Sequence, residues 1–230
     1  MPSKNLVREF LEGGVYHVYN RGINKQNIFF DEKDYATFLF YIKLYLDDPD
    51  KLKDLDPQKK KSLVRRNFYG NINLLCYCLM PNHFHLLVKQ EEERDLAEFM
   101  RCVLTNYSMY FNKKYNRLGP VFQGTYKAIL VKDDAYLLHL SRYIHLNPVS
   151  IIYNEFVKGV TPAKLADYPY SSYADYLGNK NTTWVKPSSV LDYFKDNKRQ
   201  YIISESSYQE FIEDSKYDSK NIIGDLAIES

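Results

Sequence analysis

Two apolar runs, residues 72–79 and 82–89, stand only two residues apart, at Met80-Pro81. Each reads as a strand, and so tight a turn between them leaves little but an antiparallel pair. Around this pair the chain alternates. Val-Tyr-His-Val-Tyr-Asn at 15–20, closed by Arg21-Gly22, is a first strand. Asp31 can cap a helix running to about Leu46, with Tyr35, Phe38, Leu39 and Ile42 at helical spacing. Residues 96–115 carry Phe99, Val103, Tyr107, Tyr110 and Phe111 on a long helix that Gly119-Pro120 stops. Residues 126–131 form another strand, and Asp133-Asp134 opens a further helix that Pro148 ends. The order strand, helix, strand, strand, helix, strand, helix predicts an α+β fold. Its antiparallel sheet should carry helices on its faces, close to the split β-α-β arrangement.

The texture changes after Gly178. Residues 179–183 read as a linker, two short helical segments follow at 188–196 and 206–214, and the polar end after Asp218 should fray. The expected organisation is therefore a core over 1–178 and a small helical, acidic C-terminal extension over 179–230. From Ser204 onward there are seven acidic residues against two lysines, while the rest of the chain holds 29 basic and 22 acidic residues. A basic body with an acidic tail suits a polyanionic partner. Residues 47–66 form a charged insert, and its stretch 59–66, with Lys59-Lys60-Lys61 and Arg65-Arg66, reads equally as a solvated loop or as a contact to a nucleic-acid strand. Three cysteines in 230 residues argue against a disulfide framework and for a reducing compartment. No apolar run approaches ~18 residues, so no membrane span is expected and the chain should be cytoplasmic.

The chemistry concentrates in His83-Phe84-His85, inside the second strand of the pair. Side chains alternate along a strand, so both imidazoles face one way while Phe84 and Leu86 face the other. Two neutral imidazoles side by side on a rigid strand make half of a divalent-metal site. The other half can come from the last helix, where His139, Tyr143 and Asn147 recur every four residues on one face. An amide oxygen can be a third, hard ligand, and a phenol one turn earlier can be a nucleophile. His145 lies about 200° round the helix from Tyr143 and does not join that stripe.

Bland readings stand beside each of these. With 22 tyrosines, any one is by default a packing residue, and Tyr107, Tyr110 and Tyr115 on the earlier helix are rivals to Tyr143. Asn147 before Pro148 can simply stop a helix. Cys76 and Cys78, with the two histidines, spell a zinc pattern, but cysteine is a routine core residue and a turn separates the pairs. His17 is expected to lie buried beside the sheet.

Taken together, the motifs resemble those of the single-tyrosine HUH transposases, in the branch called REP-associated tyrosine transposases. The similarity runs over about residues 13–178. It is carried by Tyr16-His17-Val18-Tyr19-Asn20-Arg21-Gly22 and by Met80-Pro81-Asn82-His83-Phe84-His85-Leu86-Leu87. Further on it is carried by Gly119-Pro120-Val121-Phe122-Gln123-Gly124-Thr125-Tyr126-Lys127-Ala128, then by Tyr143-Ile144-His145-Leu146-Asn147-Pro148-Val149. Tyr168-Pro169-Tyr170-Ser171-Ser172-Tyr173 resembles the segment that closes the family's core.

The resemblance implies a ferredoxin/RRM-like HUH endonuclease core and a DNA transposase that cleaves and rejoins single-stranded DNA beside imperfect palindromes folded as hairpins. His83, His85 and Asn147 would hold Mg²⁺ or Mn²⁺, and Tyr143 would be the nucleophile, leaving a 5′-phosphotyrosine. The family commonly has Arg where this chain has Thr125, so Lys127, Arg21 and Arg117 become the candidate cationic contacts to DNA, while His139, one turn before Tyr143, reads equally as a DNA contact or as a group that tunes the phenol. The enzyme would act as a monomer or a homodimer. A replication initiator or relaxase with the same chemistry, and a domesticated hairpin-binding protein without catalysis, remain the alternatives.

Overall fold

A computed structural model describes residues 10–52, 67–149, 165–195 and 206–213. The basic stretch at 59–66 and the acidic end beyond 213 lie outside the described residues. Four strands form one sheet: β1 (Val15–Arg21), β2 (Ile72–Met80), β3 (His83–Gln90) and β4 (Lys127–Leu130). Their order across the sheet is β2-β3-β1-β4, and every neighbouring pair is antiparallel. With α1 (Glu32–Leu46) between β1 and β2, and α2 (Asp95–Lys114) between β3 and β4, this is the expected split β-α-β arrangement. A third long helix, α3 (Asp134–Leu146), follows β4.

The helix starts follow from short carboxylate caps. Asp31 accepts from the Asp34 amide at 3.1 Å, and Asp133 accepts from the Tyr136 amide at 2.8 Å. The helices then divide between the two faces of the sheet. Phe38 and Ile42 of α1 and Phe99, Val103 and Tyr107 of α2 bury against Tyr16, Val18, Phe84, Leu86 and Val88. Leu137, Leu140 and Ile144 of α3 pack on the opposite face with Cys76, Cys78 and Leu87. A bulge between Leu74 and Cys76 resets the alternation of β2, so Leu74, Tyr77 and Leu79 share the α1/α2 face while Cys76, Cys78 and Met80 share the α3 face.

The C-terminal third continues into these same two cores. Residues 170–172 run along the outer side of β2, with the Leu79 amide donating to the Tyr170 carbonyl at 2.9 Å and an antiparallel bridge between Cys78 and Ser171. They thereby cover an edge that would otherwise offer free backbone groups. Short helices α4 (Tyr173–Tyr176), α5 (Ser188–Leu191) and α6 (Tyr208–Glu213) follow. Trp184 and Val185 join the α1/α2 core, with Trp184 stacked on Tyr77. Val190, Tyr208, Phe211 and Ile212 join the α3 core.

Candidate active site

Register builds the site. His83 and His85 alternate with Phe84 on β3, and Arg21, Tyr19 and His17 of β1 lie on the same face, with Arg21 directly across from His83 and Tyr19 across from His85. The strand end is pinned by Gly22: a Cβ there would sit 2.0 Å from the Gln26 carbonyl oxygen, so no other residue fits without moving that turn. Opposite the sheet, α3 presents Tyr143 with its ring edge-on to His85, centroids 5.4 Å apart, and to His17 at 6.4 Å. One turn later Asn147 caps the helix. Its Nδ2 donates to the Tyr143 carbonyl at 2.9 Å, which turns Oδ1 towards His83 Nε2, 3.4 Å away. Tyr143, Asn147, His83 and His85 are thus brought together within one chain.

The nitrogen chemistry suits a cation. His83 Nδ1 faces Asn82 Oδ1 at 2.6 Å; an amide oxygen can only accept, so Nδ1 carries the proton and Nε2 keeps a lone pair. That lone pair and the Asn147 oxygen converge as two acceptors, an arrangement a shared positive charge would favour. His85 Nδ1 is engaged by His17 Nε2 at 2.8 Å, while His85 Nε2 is buried with no partner at hydrogen-bonding geometry. Burial, reinforced by the neighbouring His17 and His83 and only opposed by the Asn147 amide, holds His85 well below the usual histidine pKa. Burial also lowers His17 to about 3. These imidazoles are neutral at physiological pH, the state that binds metal. A hydrogen bond on the far nitrogen of each ring is the usual accompaniment of a ligating histidine. The donor set therefore fits one divalent cation held by His83, His85 and Asn147.

Residues 57–147 match the family model described as "Transposase IS200 like". Over that stretch the chain is similar to the IS200-like transposases. A curated Haemophilus influenzae protein, described as a REP-associated tyrosine transposase, is 33% identical over 108 residues, which is 42% of this chain. The chain spans 56% of that relative's length. Among solved structures, a REP-associated tyrosine transposase bound to a REP hairpin aligns with 78% of this chain and 94% of its own, at 14% identity and a TM-score of 0.49. A Deinococcus radiodurans protein described as a transposase aligns with 63% of this chain and 95% of its own, at 12% identity and a TM-score of 0.35.

The remaining candidates of this transposase-like chain are placed unevenly. Lys127 is exposed on the site face of β4, its ammonium 5.6 Å from the Tyr19 ring centre. Arg21 donates from Nε to Gln123 Oε1 at 2.6 Å, which ties it to the loop before β4. Arg117 stacks on Phe111 of the α1/α2 core and donates to Gln26, which places it with the other face. His139 is buried, its ring 5.4 Å from that of Phe211 in α6, and offers no open surface to a nucleic-acid strand. Tyr107 is fully buried and donates to the Ile28 carbonyl, while Tyr110 and Tyr115 donate to Asp34. Cys78 stands across from His85 in the ladder. Yet burial pushes both strand thiols up, and no cluster of three His, Cys, Asp or Glu suited to a metal forms among the described residues.

Sequence reasoning missed what holds the tyrosine helix. Arg142, next to the tyrosine and buried, donates to the Phe211 carbonyl at 2.7 Å and the Ile212 carbonyl at 3.2 Å, closing the end of α6. His145 is buried between the Tyr208 hydroxyl at 2.7 Å and the Ser172 hydroxyl at 2.9 Å. It also missed the contact of His17 with His85. The period-two alternation puts His17, Tyr19 and Arg21 on one face of β1, so the signal existed once β1 was set beside β3.

Proposed function

We propose that this chain cleaves and rejoins single-stranded DNA next to a hairpin, with Tyr143 as nucleophile. The observation that supports this reading is the meeting of Tyr143 with the His83, His85 and Asn147 donor set. The Tyr143 oxygen attacks the scissile phosphorus, the bond from phosphorus to the 3′-oxygen breaks, and the departing oxygen takes up a proton to become a free 3′-hydroxyl. The phenol proton passes to solvent and the 5′ end stays linked as phosphotyrosine. Because that link conserves the bond energy, another 3′-hydroxyl can reverse the step and join strands without ATP. Mg²⁺ or Mn²⁺ on the three donors would polarise the phosphate and offset the charge that develops on it.

The chain's own groups supply position. Packing holds the Tyr143 ring edge-on to two imidazoles, so little rotational freedom is lost on attack. Asn147 links the nucleophile's helix to the ligand set through one amide. Arg21 and Lys127, on the same sheet face, offer cationic contacts to the strand backbone. Among the described residues no helix is long and apolar enough to cross a membrane.

The test is a gel assay of wild type and Tyr143→Phe with single-stranded DNA carrying the palindromes that flank the gene, in Mg²⁺ or EDTA. A covalent protein–DNA adduct formed only by wild type with metal is the expected result. Undiminished cleavage by Tyr143→Phe would overturn the nucleophile assignment. Hairpin binding with no adduct from any sample would leave a binding protein rather than a transposase.

A further inference from the structure

We propose that His17 is a positioning residue for His85: it accepts the Nδ1 proton of that ring, and so presents the Nε2 lone pair to the cation. The proposal rests on the reading that His83, His85 and Asn147 hold a divalent ion, and it extends that reading to a residue of another strand. The two rings lie nearly parallel, 13° apart with centroids at 5.1 Å, and both are fully buried. One hydrogen bond of 2.8 Å joins His17 Nε2 to His85 Nδ1. The outer nitrogens, His17 Nδ1 and His85 Nε2, have no partner at hydrogen-bonding geometry.

A neutral imidazole carries one N–H, so this pair has two arrangements. If His17 donates, His85 keeps its own proton on Nε2, and an N–H points where a ligand lone pair is needed. If His85 donates, Nε2 is bare and can bind. Without a cation the first arrangement has the Asn147 amide beside the protonated His85 ring, whereas the second leaves a buried N–H on His17 Nδ1. Cation binding at Nε2 selects the second arrangement, and His17 is the acceptor that makes it possible. His83 differs. Its Nδ1 faces the Asn82 amide oxygen, an obligate acceptor, so that ligand is set in advance, whereas His85 depends on a partner that can act either way. The register fixes the dependence: His17 sits opposite Leu87, one step diagonal from His85 on the central strand pair, and cannot withdraw without breaking the ladder.

The experiment is a titration of the full chain with Mn²⁺, following free ion by electron paramagnetic resonance, for wild type, His85→Ala, His17→Phe and His17→Gln. Thermal unfolding of each variant is measured alongside. His17→Phe keeps a flat ring but loses the acceptor, and its Mn²⁺ affinity should fall about 10–100-fold. His17→Gln places an amide oxygen near the lost nitrogen and should recover most of that loss. A folded His17→Phe that binds Mn²⁺ like wild type would overturn the proposal. If His85→Ala binds as tightly as wild type, the metal reading beneath it fails instead, and the two failures are distinct. Should His17→Phe not fold, imidazole ¹⁵N shifts of the wild type with Mg²⁺ decide. Protonated His85 Nδ1 with unprotonated His17 Nε2 is expected, and protonated His17 Nε2 would refute the assignment.

Discussion

The two faces of the sheet are built to different rules. Under α1 and α2 the buried side chains are almost all aliphatic or aromatic, and most of their few polar groups are met, the Tyr77 hydroxyl excepted. Asp34 accepts from Lys114, Tyr110, Tyr115 and the Phe30 amide; Gln90 bridges the Leu11 carbonyl and the Leu96 amide; Asp95 accepts from Asn71. Under α3 lie all five histidines of the chain, with Ser141, Arg142, Tyr143 and Ser172 buried among them. Here the key imidazole nitrogens, at His17 and His85, lack partners. An unpaired buried polar atom costs about 1–3 kcal/mol, so a face that keeps two at one spot is spending stability on chemistry. One face keeps the fold and the other gathers the candidate site.

Single substitutions on opposite faces should therefore separate activity from stability. Tyr143→Phe removes one hydroxyl and should abolish the covalent DNA adduct while moving stability by no more than about 1.5 kcal/mol. Phe84→Ala, one residue from both histidines but pointing the other way, should do the reverse. It empties a fully buried ring position between Phe38 and Phe122 and should cost about 3–5 kcal/mol. That corresponds to a fall in Tm of about 6–20 °C, read by calorimetry. Adduct formation per folded molecule, measured well below the transition, should stay near wild type. A Phe84→Ala protein of normal Tm, or one that is folded yet inactive, would break the division between the faces.

The division was only half visible in the chain itself. Strand and helix limits, the tight hairpin (expected at Met80-Pro81 and found one residue later, at Pro81-Asn82), and the shared face of His83 and His85 all follow from local spacing and from caps such as Asp31 and Asp133. Such features depend on neighbours within a few residues. The contacts that complete the site do not. His17 meets His85 across 68 positions, Arg142 meets Phe211 across 69, and His145 meets Tyr208 across 63. Each depends on strand order, or on a turn far along the chain, that no local period encodes. The bulge beside Leu75 adds a further obstacle, because strict alternation along β2 would put Tyr77 and Leu79 on the wrong face. His139 shows the same limit from the other side: helical spacing sets it in line with Tyr143, and only the docking of α6 reveals that Phe211 covers it.

Acid sharpens the comparison on the stability face. Burial alone would raise the Asp34 carboxyl, but the Lys114 ammonium, the Tyr115 phenol, the Phe30 amide and the Tyr110 phenol outweigh it and hold the group below the ordinary carboxylate range. A carboxylate lowered in the folded state adds stability above its unfolded pKa of about 4, and that contribution is lost as pH falls through the lower folded value. Asp34→Asn should cost about 1.5–3 kcal/mol at pH 7. It should also flatten the acid limb of a stability–pH curve measured by urea unfolding. An unchanged acid limb would mean that other carboxylates govern acid unfolding.

Two lysines carry the smallest version of the contrast. Lys114 is committed to Asp31 and Asp34 at 2.7 Å each, whereas Lys127 stands exposed over the Tyr19 ring on the site face. Counterion release links each phosphate contact on a single strand to about 0.7 in the slope of log affinity against log salt. Lys127→Ala should therefore lower the salt slope of single-stranded DNA binding by about 0.7 and leave Tm in place. Lys114→Ala should lower Tm and leave the slope alone. If both lysines moved the slope equally, the DNA would contact both faces, and the assignment of binding to the α3 side would have to be withdrawn.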